Sequence, residues 1–561
     1  MASRSTVVII SLVGAYALLA FHLYELQLVK GGYYYAKAET ELAASASNNG
    51  SRGAIYFTDL NGNTLPSAID QEFPVIYADP AVIKDPAQAA AEVAPVLGVP
   101  VAQLAATFSR KDQYELLMNK ASSSVAQEIE ALNIPGVITD FEPQRYYPLG
   151  PIASQLLGFV GPNATNVGES GKYGLEEYYN GLLQGSSTGG NPVGQDLTTT
   201  IDPNIQIEAE KVLDNLVTSN NGTGGDVIVA DPMTGKILAM GQYPTFDPNN
   251  YGQSPIADYL NTNVQSVYEP GSIIKLLTMS AGIDSGAITP DTTYWDHGYV
   301  NVDGAHITNY NLLTNGPYGP NTTMTEVIEH SINSGAIWAE NQTGNQTYLK
   351  YLKAFGLGQK TGIDLPGEVT GDLRQLTPNA PQVDWDTAGF GQGIAMTPIE
   401  LVDAISAIAN GGLLMRPYIN AALQPKIIRR VISSSTAAQV AQMATDAVDL
   451  AQVANINGYS MGGKTGSAFI PNPKGGGYLN ELDDSYIGFG PTANPKFIAF
   501  IRVNGVSVNS LAAESVVPAW AQLARWLINY YNIPPDRTTN DVIPNCHNLI
   551  CPGSNQFYAQ Y

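Results

Sequence analysis

The chain has 561 residues, with 27 Lys and Arg against 50 Asp and Glu, which gives a formal net charge of −23. Hydrophobic residues make up 44% of the sequence, which excludes a disordered chain, and the length suits roughly three or four domains. The acidic balance excludes a nucleic-acid-binding protein, because no basic stretch offsets the repulsion of phosphates. Two cysteines, Cys546 and Cys551, exclude a disulfide-scaffolded fold and a four-cysteine metal site.

The first predicted element is a membrane-spanning helix at residues 5–24, a stretch without Asp, Glu, Lys or Arg. A helix of this length covers about 30 Å, the thickness of the hydrocarbon core of a bilayer. Arg4 on the short side favours a cytoplasmic N-terminus and an extracytoplasmic remainder. A cleaved signal peptide is the alternative, since residues 15–17 resemble a cleavage site, but the apolar stretch continues through Leu23 and favours an anchor.

After the anchor, strand-like alternation on both sides of a turn at residues 59–62 predicts a hairpin. Ala-rich helical patterns follow between residues 85 and 129, and a Gly/Ser/Thr/Asn stretch at 185–194 predicts a linker. The last residues are polar and weakly periodic. The predicted divisions of the chain are residues 1–24, 25–195, 196–533 and 534–561.

The division at 196–533 begins and ends with pairs of strands. GGDVIVADPMTGKILAM at 224–240 predicts a hairpin, and two apolar runs around a turn predict a second pair at 486–503. Helical patterns lie between the pairs, notably at 272–284, 324–340 and 397–411. We therefore predict an α+β fold whose central antiparallel sheet is closed by the two ends of the domain and flanked by helices.

The strongest chemical signal is a lysine within an apolar helical pattern. Lys275 is surrounded by Ile273, Ile274, Leu276 and Leu277, and a buried ammonium is costly unless it is paired or neutral. Ser272 lies three residues earlier, on the same helical face. A desolvated lysine can take the proton of a serine hydroxyl, so the pair predicts a nucleophile and its base.

Two further motifs fit this pair. The order S-x-x-K, then S-x-N, then K-T-G is typical of penicillin-binding proteins and related β-lactamases. S-x-N occurs several times, but only Ser331 and Asn333 lie between the other two motifs.

K-T-G occurs twice, and its function requires an edge strand. Lys464, Thr465 and Gly466 follow two glycines and lead through Ser467 into strand-like sequence. The copy at 360–362 is soon followed by Pro366, which is unfavourable in a strand. We therefore assign the later copy to the site.

With these motifs, the sequence resembles the class B penicillin-binding proteins, membrane-anchored D,D-transpeptidases that cross-link peptidoglycan. The resemblance covers most of the chain and includes HLYELQLVKGGYY, RGAIYFTDLNGNTL, RYYPLGPIASQLLGFVG, YGLEEYYNGLLQG, YEPGSIIK, TGIDLPGE, GFGQGIAMTPIEL and GGKTGSA. The 360–362 copy of K-T-G falls inside the TGIDLPGE segment, which agrees with the choice of the later copy.

The resemblance implies a role for each motif residue. Ser272 would attack the D-Ala-D-Ala carbonyl and Lys275 would accept its proton. Ser331 and Lys464 would relay a proton to the departing D-Ala, and Asn333 would orient the substrate amide. Thr465, Gly466 and Ser467 would form the substrate-binding strand. The backbone N–H groups of Ser272 and Ser467 would hold the oxyanion. The hydroxyls of Thr465 and Ser467, with the positive charge of Lys464, would bind the terminal carboxylate.

The resemblance also implies partners and a location. Stem peptides would be donor and acceptor, and β-lactams would acylate Ser272. Residues 25–195 resemble a pedestal or dimerisation-like domain without glycosyltransferase features, so polymerisation would come from a separate membrane glycosyltransferase. The compact pedestal favours the division-specific branch and contact with other division proteins over the elongation branch. The resemblance implies no cofactor, no metal and no nucleic acid, and it places the catalytic domain outside a bacterial cell membrane.

Several alternatives stay open. A D,D-carboxypeptidase or serine β-lactamase would use the same site with water as acceptor, although no deacylating Glu motif is evident. A non-catalytic scaffold or β-lactam sensor would keep the fold alone. Cys546 and Cys551 could form a small disulfide loop or stay free thiols. His297 and His306 flank a predicted turn and favour a surface hairpin over a metal site.

Overall fold

The computed structural model describes residues 51–537, apart from 111–113, 164–167, 186–192, 311, 313–315, 473 and 509–511. The predicted anchor at 5–24, most of the predicted linker, nearly all of the predicted tail and both cysteines lie outside the described residues. Within the described part of the chain, no helix combines the length and the apolar character that crossing a bilayer requires.

The first part of the described chain is built on a five-stranded sheet. Its strands are β1 (Ile55–Thr58), β2 (Thr64–Ala78), β3 (Glu115–Met118), β4 (Val137–Tyr146) and β7 (Leu197–Thr198), while β5 (Phe159–Pro162) and β6 (Glu169–Lys172) pair separately. Its helices are α1 (Pro86–Leu97), α2 (Val101–Phe108), α3 (Ser123–Leu132), α4 (Ser154–Leu157), α5 (Gly174–Tyr178) and α6 (Asn180–Gln184). The strand order is β3-β2-β1-β7, and β4 also pairs with β2.

Local sequence signals account for these elements. The carboxylate of Asp59 accepts two backbone N–H groups of the turn between β1 and β2, and Gly62 has a φ of +82°. The predicted turn at 59–62 is thereby confirmed. In the Ala-rich region, α1 begins with a side-chain cap from Asp85 and ends at Gly98, whose φ is +68°.

The second part contains most of the described helices and a second five-stranded sheet. Its strands are β8 (Gly224–Ala230), β9 (Ile237–Tyr243), β10 (Thr293–Asp296), β11 (Tyr299–Val302), β12 (Ala305–Thr308), β13 (Gly319–Thr323), β14 (Leu413–Met415), β15 (Ile427–Arg430), β16 (Gly462–Pro471), β17 (Tyr478–Gly490) and β18 (Phe497–Ser507). Its helices are α7 (Pro203–Ser219), α8 (Thr262–Gln265), α9 (Lys275–Asp284), α10 (Met324–Glu329), α11 (Asn333–Thr343), α12 (Asn345–Ala354), α13 (Gln382–Ala388), α14 (Pro398–Ala409), α15 (Ser434–Ala451) and α16 (Val516–Tyr530).

The central sheet has the order β16-β17-β18-β8-β9, and every neighbouring pair is antiparallel. β8 and β9 come from the start of the domain, and the other three strands come from its end. This confirms the predicted α+β fold with a sheet closed by both ends of the domain. Among the strands of the described chain, β16 pairs only with β17 and is therefore an edge strand.

Helices cover both faces of this sheet. Val227 and Val229 of β8 join a core with α7 and α16 on one face, whereas Ile228 joins the core of α9 and α14 on the other. This alternation is the period of two expected of a strand buried on both faces. The turn before α9 lies against the edge strand β16, since Gly271 and Gly466 each approach the backbone of the other segment.

Candidate active site

Ser272 lies in a 3-10 turn (Gly271–Ile274) that continues into α9 at Lys275. The sequence predicted a helix from Ser272, and its first turn is tighter than an α-helix. Gly271 enters this turn with a φ of +57°, and its N–H donates to the carbonyl of Gly391 at 3.1 Å. A Cβ at this position would lie 2.8 Å from the carbonyl oxygen of Ser467. Only glycine therefore permits the turn to lie this close to β16.

Lys275 is 0% exposed, as its apolar neighbours predicted. Its Nζ donates to the carbonyl oxygen of Ser331 at 2.5 Å and to the Oγ of Ser331 at 3.2 Å. It also donates to the Oδ1 of Asn333 at 2.8 Å. The structure thus brings the S-x-x-K lysine and the S-x-N residues together.

Ser331 and Asn333 lie where the sequence predicted one helix over 324–340. Two helices, α10 and α11, are separated there by a tight turn. The last turn of α10 accepts the N–H groups of Ser331 and Ile332 at 3.3 and 3.0 Å, which is the pattern of a Schellman cap. Ser331 has the φ of +55° that this cap requires and that glycine usually supplies. The break directs both oxygens of Ser331 to Lys275, and apolar periodicity does not reveal it because Ile332 is buried as in a continuous helix.

Lys464 approaches Ser331 from β16. Its Nζ donates to the Oγ of Ser331 at 2.9 Å and to the Oγ1 of Thr465 at 3.2 Å. The hydroxyl of Ser331 therefore receives hydrogen bonds from both lysines. A cavity of about 50 Å³ opens beside Ser331, Lys464 and Thr465.

Burial controls the charge of both amines. It holds the pKa of Lys275 well below its ordinary value, and the charge of Lys464 lowers that pKa further. Burial also lowers the pKa of Lys464 to about 7. A lysine without its proton near neutral pH can act as a general base, so these shifts fit a site that moves protons.

The turn before α9 lies directly against the K-T-G strand. A Cβ at Gly466 would lie 2.4 Å from the carbonyl oxygen of Pro270 and 2.6 Å from the Oγ of Ser485. The K-T-G copy at 360–362 instead lies in a loop, where Thr361 donates from its N–H and its hydroxyl to Glu368. Of the two copies, the later one lies beside Ser272.

The amide of Asn333 bridges two elements. Its Oδ1 accepts from Lys275, and its Nδ2 donates to the carbonyl oxygen of Thr308 at the end of β12 at 3.1 Å. One of its two N–H groups is therefore engaged by β12.

Ser467 has a partner that sequence reasoning missed. Its hydroxyl donates to the Oδ1 of Asp484 at 2.6 Å, and the two residues lie opposite each other in the β16–β17 register. Asp483 and Asp484 are adjacent in the sequence, and the sequence alone does not indicate which of them faces Ser467. The hydroxyl proton that we expected to bind a carboxylate points to Asp484 in this structure.

His297 precedes β11, and its ring stacks on that of Trp295. His306 lies on β12 of the β11–β12 hairpin, whose turn at Asp303 and Gly304 has positive φ at both residues, and the predicted surface hairpin is confirmed. Among the described residues, no group of three or more His, Cys, Asp and Glu side chains is arranged to hold a metal ion.

The chain is similar to known proteins over most of its length. The penicillin-binding protein transpeptidase domain matches residues 225–521, and the penicillin-binding protein dimerisation domain matches residues 47–196. Stage V sporulation protein D of Bacillus subtilis is 31% identical over 518 residues, which are 84% of this chain and 78% of that protein. Peptidoglycan D,D-transpeptidase FtsI of Escherichia coli is 26% identical, over 87% of this chain and 85% of that protein.

A solved structure shares the fold. Penicillin-binding protein 3 of Mycobacterium tuberculosis in complex with ampicillin superposes with a TM-score of 0.68 at 24% identity, over 87% of this chain and 96% of that chain. Because the transpeptidase domain alone spans more than half of the sequence, the chain belongs to the penicillin-binding protein transpeptidase family, in the class B form that its motifs predicted.

Proposed function

We propose that the protein is a peptidoglycan D,D-transpeptidase that cross-links stem peptides through an acyl-enzyme on Ser272. One observation carries this proposal. The Oγ of Ser331 accepts hydrogen bonds from the Nζ of Lys275 at 3.2 Å and from the Nζ of Lys464 at 2.9 Å, beside the turn that contains Ser272. The relatives named as D,D-transpeptidases support the same reaction.

In the first half-reaction, the Oγ of Ser272 forms a bond to the carbonyl carbon of the penultimate D-Ala, and its proton passes to the Nζ of Lys275. Backbone N–H groups of Ser272 and Ser467 hold the oxyanion, and one such donor typically contributes about 3 kcal/mol of barrier reduction. When the peptide C–N bond breaks, the leaving D-Ala amine takes a proton through Ser331, which lies between the two lysines. The amine of a second stem peptide then forms a bond to the acyl carbon, the bond between this carbon and the Oγ of Ser272 breaks, and a proton from the amine returns to Ser272 through Lys275.

Substrate binding follows from the same strand. Lys464 and the hydroxyl of Thr465 provide donors for the terminal carboxylate, and Gly466 keeps the strand close to Ser272. The amide N–H of Asn333 that is not bound to Thr308 can donate to the carbonyl of the substrate amide.

Mass spectrometry after incubation with penicillin tests this function. We expect one adduct on the peptide that contains Ser272, with no adduct in Ser272→Ala and an unchanged adduct in Ser285→Ala, at the far end of α9. A long-lived adduct is expected of a transpeptidase, and rapid release would instead indicate a hydrolase. An adduct that survives Ser272→Ala would refute the assignment of the nucleophile.

We also propose a cellular location and partners for the protein. Residues 5–24 would anchor the protein in a bacterial membrane, residues 25–195 would form the pedestal, and residues 196–533 would act outside the cytoplasm, ahead of a tail at 534–561. A separate membrane glycosyltransferase and other division proteins would be its partners in septal cell-wall synthesis. The sequence of the first 24 residues and the similarity to FtsI support this placement. Protease added to intact cells should digest the catalytic domain and spare a tag fused before residue 1, whereas protection of both would exclude the topology.

A further inference from the structure

On β17, next to the K-T-G strand, Asp484 is a buried acid that accepts hydrogen bonds from the hydroxyls of Ser467 and Ser515. It is 0% exposed. Its Oδ1 accepts from Ser467 at 2.6 Å, and its Oδ2 accepts from Ser515, just before α16, at 2.9 Å. Ser467 is exposed on the edge strand β16, whereas Asp484 is not, so the hydroxyl of Ser467 lies between this acid and the solvent-facing side of β16.

The direction of the hydrogen bond between Ser467 and Asp484 determines which substrate groups Ser467 can bind. A serine hydroxyl has one proton and two lone pairs, and an ionised carboxylate only accepts hydrogen bonds. A separation of 2.6 Å is typical of a strong, charge-assisted bond. While the proton of Ser467 is held by Asp484, the Oγ presents only lone pairs to the cleft.

We propose that Asp484 is a positioning residue that makes Ser467 a hydrogen-bond acceptor toward the substrate, and that it thereby sets the specificity of this subsite. The inference rests on the proposed function. A substrate N–H is favoured at Ser467, and a carboxylate there is disfavoured by the lone pairs and by the charge of Asp484. Recognition of the terminal carboxylate then depends on Lys464 and Thr465.

An isosteric substitution can reverse which residue donates in the hydrogen bond between Ser467 and residue 484. In Asp484→Asn, the amide oxygen can accept from Ser515 while the amide N–H donates to the Oγ of Ser467. The proton of Ser467 is then released toward the cleft. A carboxylate that reaches Ser467 gains a donor and loses a repelling charge.

The experiment compares acylation of Ser272 by benzylpenicillin, which carries a carboxylate, with acylation by its methyl ester, which does not. Asp484→Asn should raise the second-order rate for benzylpenicillin about tenfold, the scale of one charge-assisted hydrogen bond, and should leave the ester rate within about twofold. In the Ser467→Ala background, the same change should give no gain with either probe.

Control variants separate this role from a structural one. Ser515→Ala removes the hydroxyl that donates to the Oδ2 of Asp484 and should not change the ratio of the two rates, although it can lower thermal stability. Equal rates in wild type and Asp484→Asn would overturn the inference, as would a gain that persists without the Ser467 hydroxyl, since the charge would then act directly. If Asp484→Asn does not fold, Asp484→Ser tests the same release of the Ser467 proton. No acylation of the wild type by either probe would refute the proposed function instead.

Discussion

Gly466→Ala tests whether the contact between β16 and the Ser272 turn controls catalysis. The added Cβ would lie 2.4 Å from the carbonyl oxygen of Pro270 and 2.6 Å from the Oγ of Ser485. Ordinary contacts of this kind are about 3.5 Å, so the strand and the turn must separate by roughly 1 Å. Pro270 is two residues before Ser272, and the separation therefore displaces the nucleophile from the backbone of Ser467.

A displacement of this size has two measurable costs. Misplacement of reacting groups by about 1 Å lowers rates by about 100-fold, and overpacking a dense core costs about 1–3 kcal/mol of the free energy of unfolding. We expect both a slower acylation by fluorescent penicillin in stopped flow and a lower midpoint in urea unfolding.

The same hairpin offers a matched control. Gly476 lies in the loop between β16 and β17, has no atom within 4 Å of an added Cβ, and has no positive φ that would strain alanine. Gly476→Ala should therefore acylate at the wild-type rate. A Gly466→Ala variant that reacts as fast as Gly476→Ala and unfolds at the same urea concentration would refute the proposed contact.

Two further predictions concern the lysines and Ser331. The charge of Lys464 lowers the pKa of Lys275. Lys464→Met should therefore raise that pKa and move the acidic limb of the pH–rate profile for acylation to higher pH. A limb that stays at the same pH would contradict the coupling. Ser331 has a φ of +55°, which glycine adopts more easily than alanine. The free energy of unfolding of Ser331→Gly should therefore exceed that of Ser331→Ala by about 1–2 kcal/mol, while both variants lose acylation to the same extent. Equal stability of the two variants would argue against the strained cap.

The sequence predicted the central sheet because strand pairs are local signals. Residues 224–240 contain both strands of one hairpin and the turn between them, so alternation and turn chemistry suffice. The motif residues could likewise be found, because an unexplained lysine in an apolar helix and a fixed motif order need no knowledge of packing. Bringing Ser331 and Lys464 together, however, depends on 132 intervening residues whose path no local rule gives.

The contact between Asp484 and Ser467 could not be predicted from the sequence, also because it depends on how distant residues are brought together. The position of Asp484 opposite Ser467 depends on the register of β16 and β17 and on the length of the loop between them, and a shift of one residue would turn it to the other face of the sheet. The break at Ser331 was also missed, since serine is uncommon at a left-handed cap position and the apolar spacing continues across it.

The two buried lysines explain why the site is assembled around a hydroxyl. Burial and the charge of Lys464 shift the pKa of Lys275 in the same direction, so a proton on Lys464 favours a neutral amine on Lys275. Ser331 accepts from both amines and can pass a proton between them without a change in its own charge. A carboxylate in its place would raise both pKa values and keep both lysines protonated, and the base that Ser272 needs would be lost. The neutrality of residue 331 is therefore as necessary to the proposed reaction as the burial of Lys275.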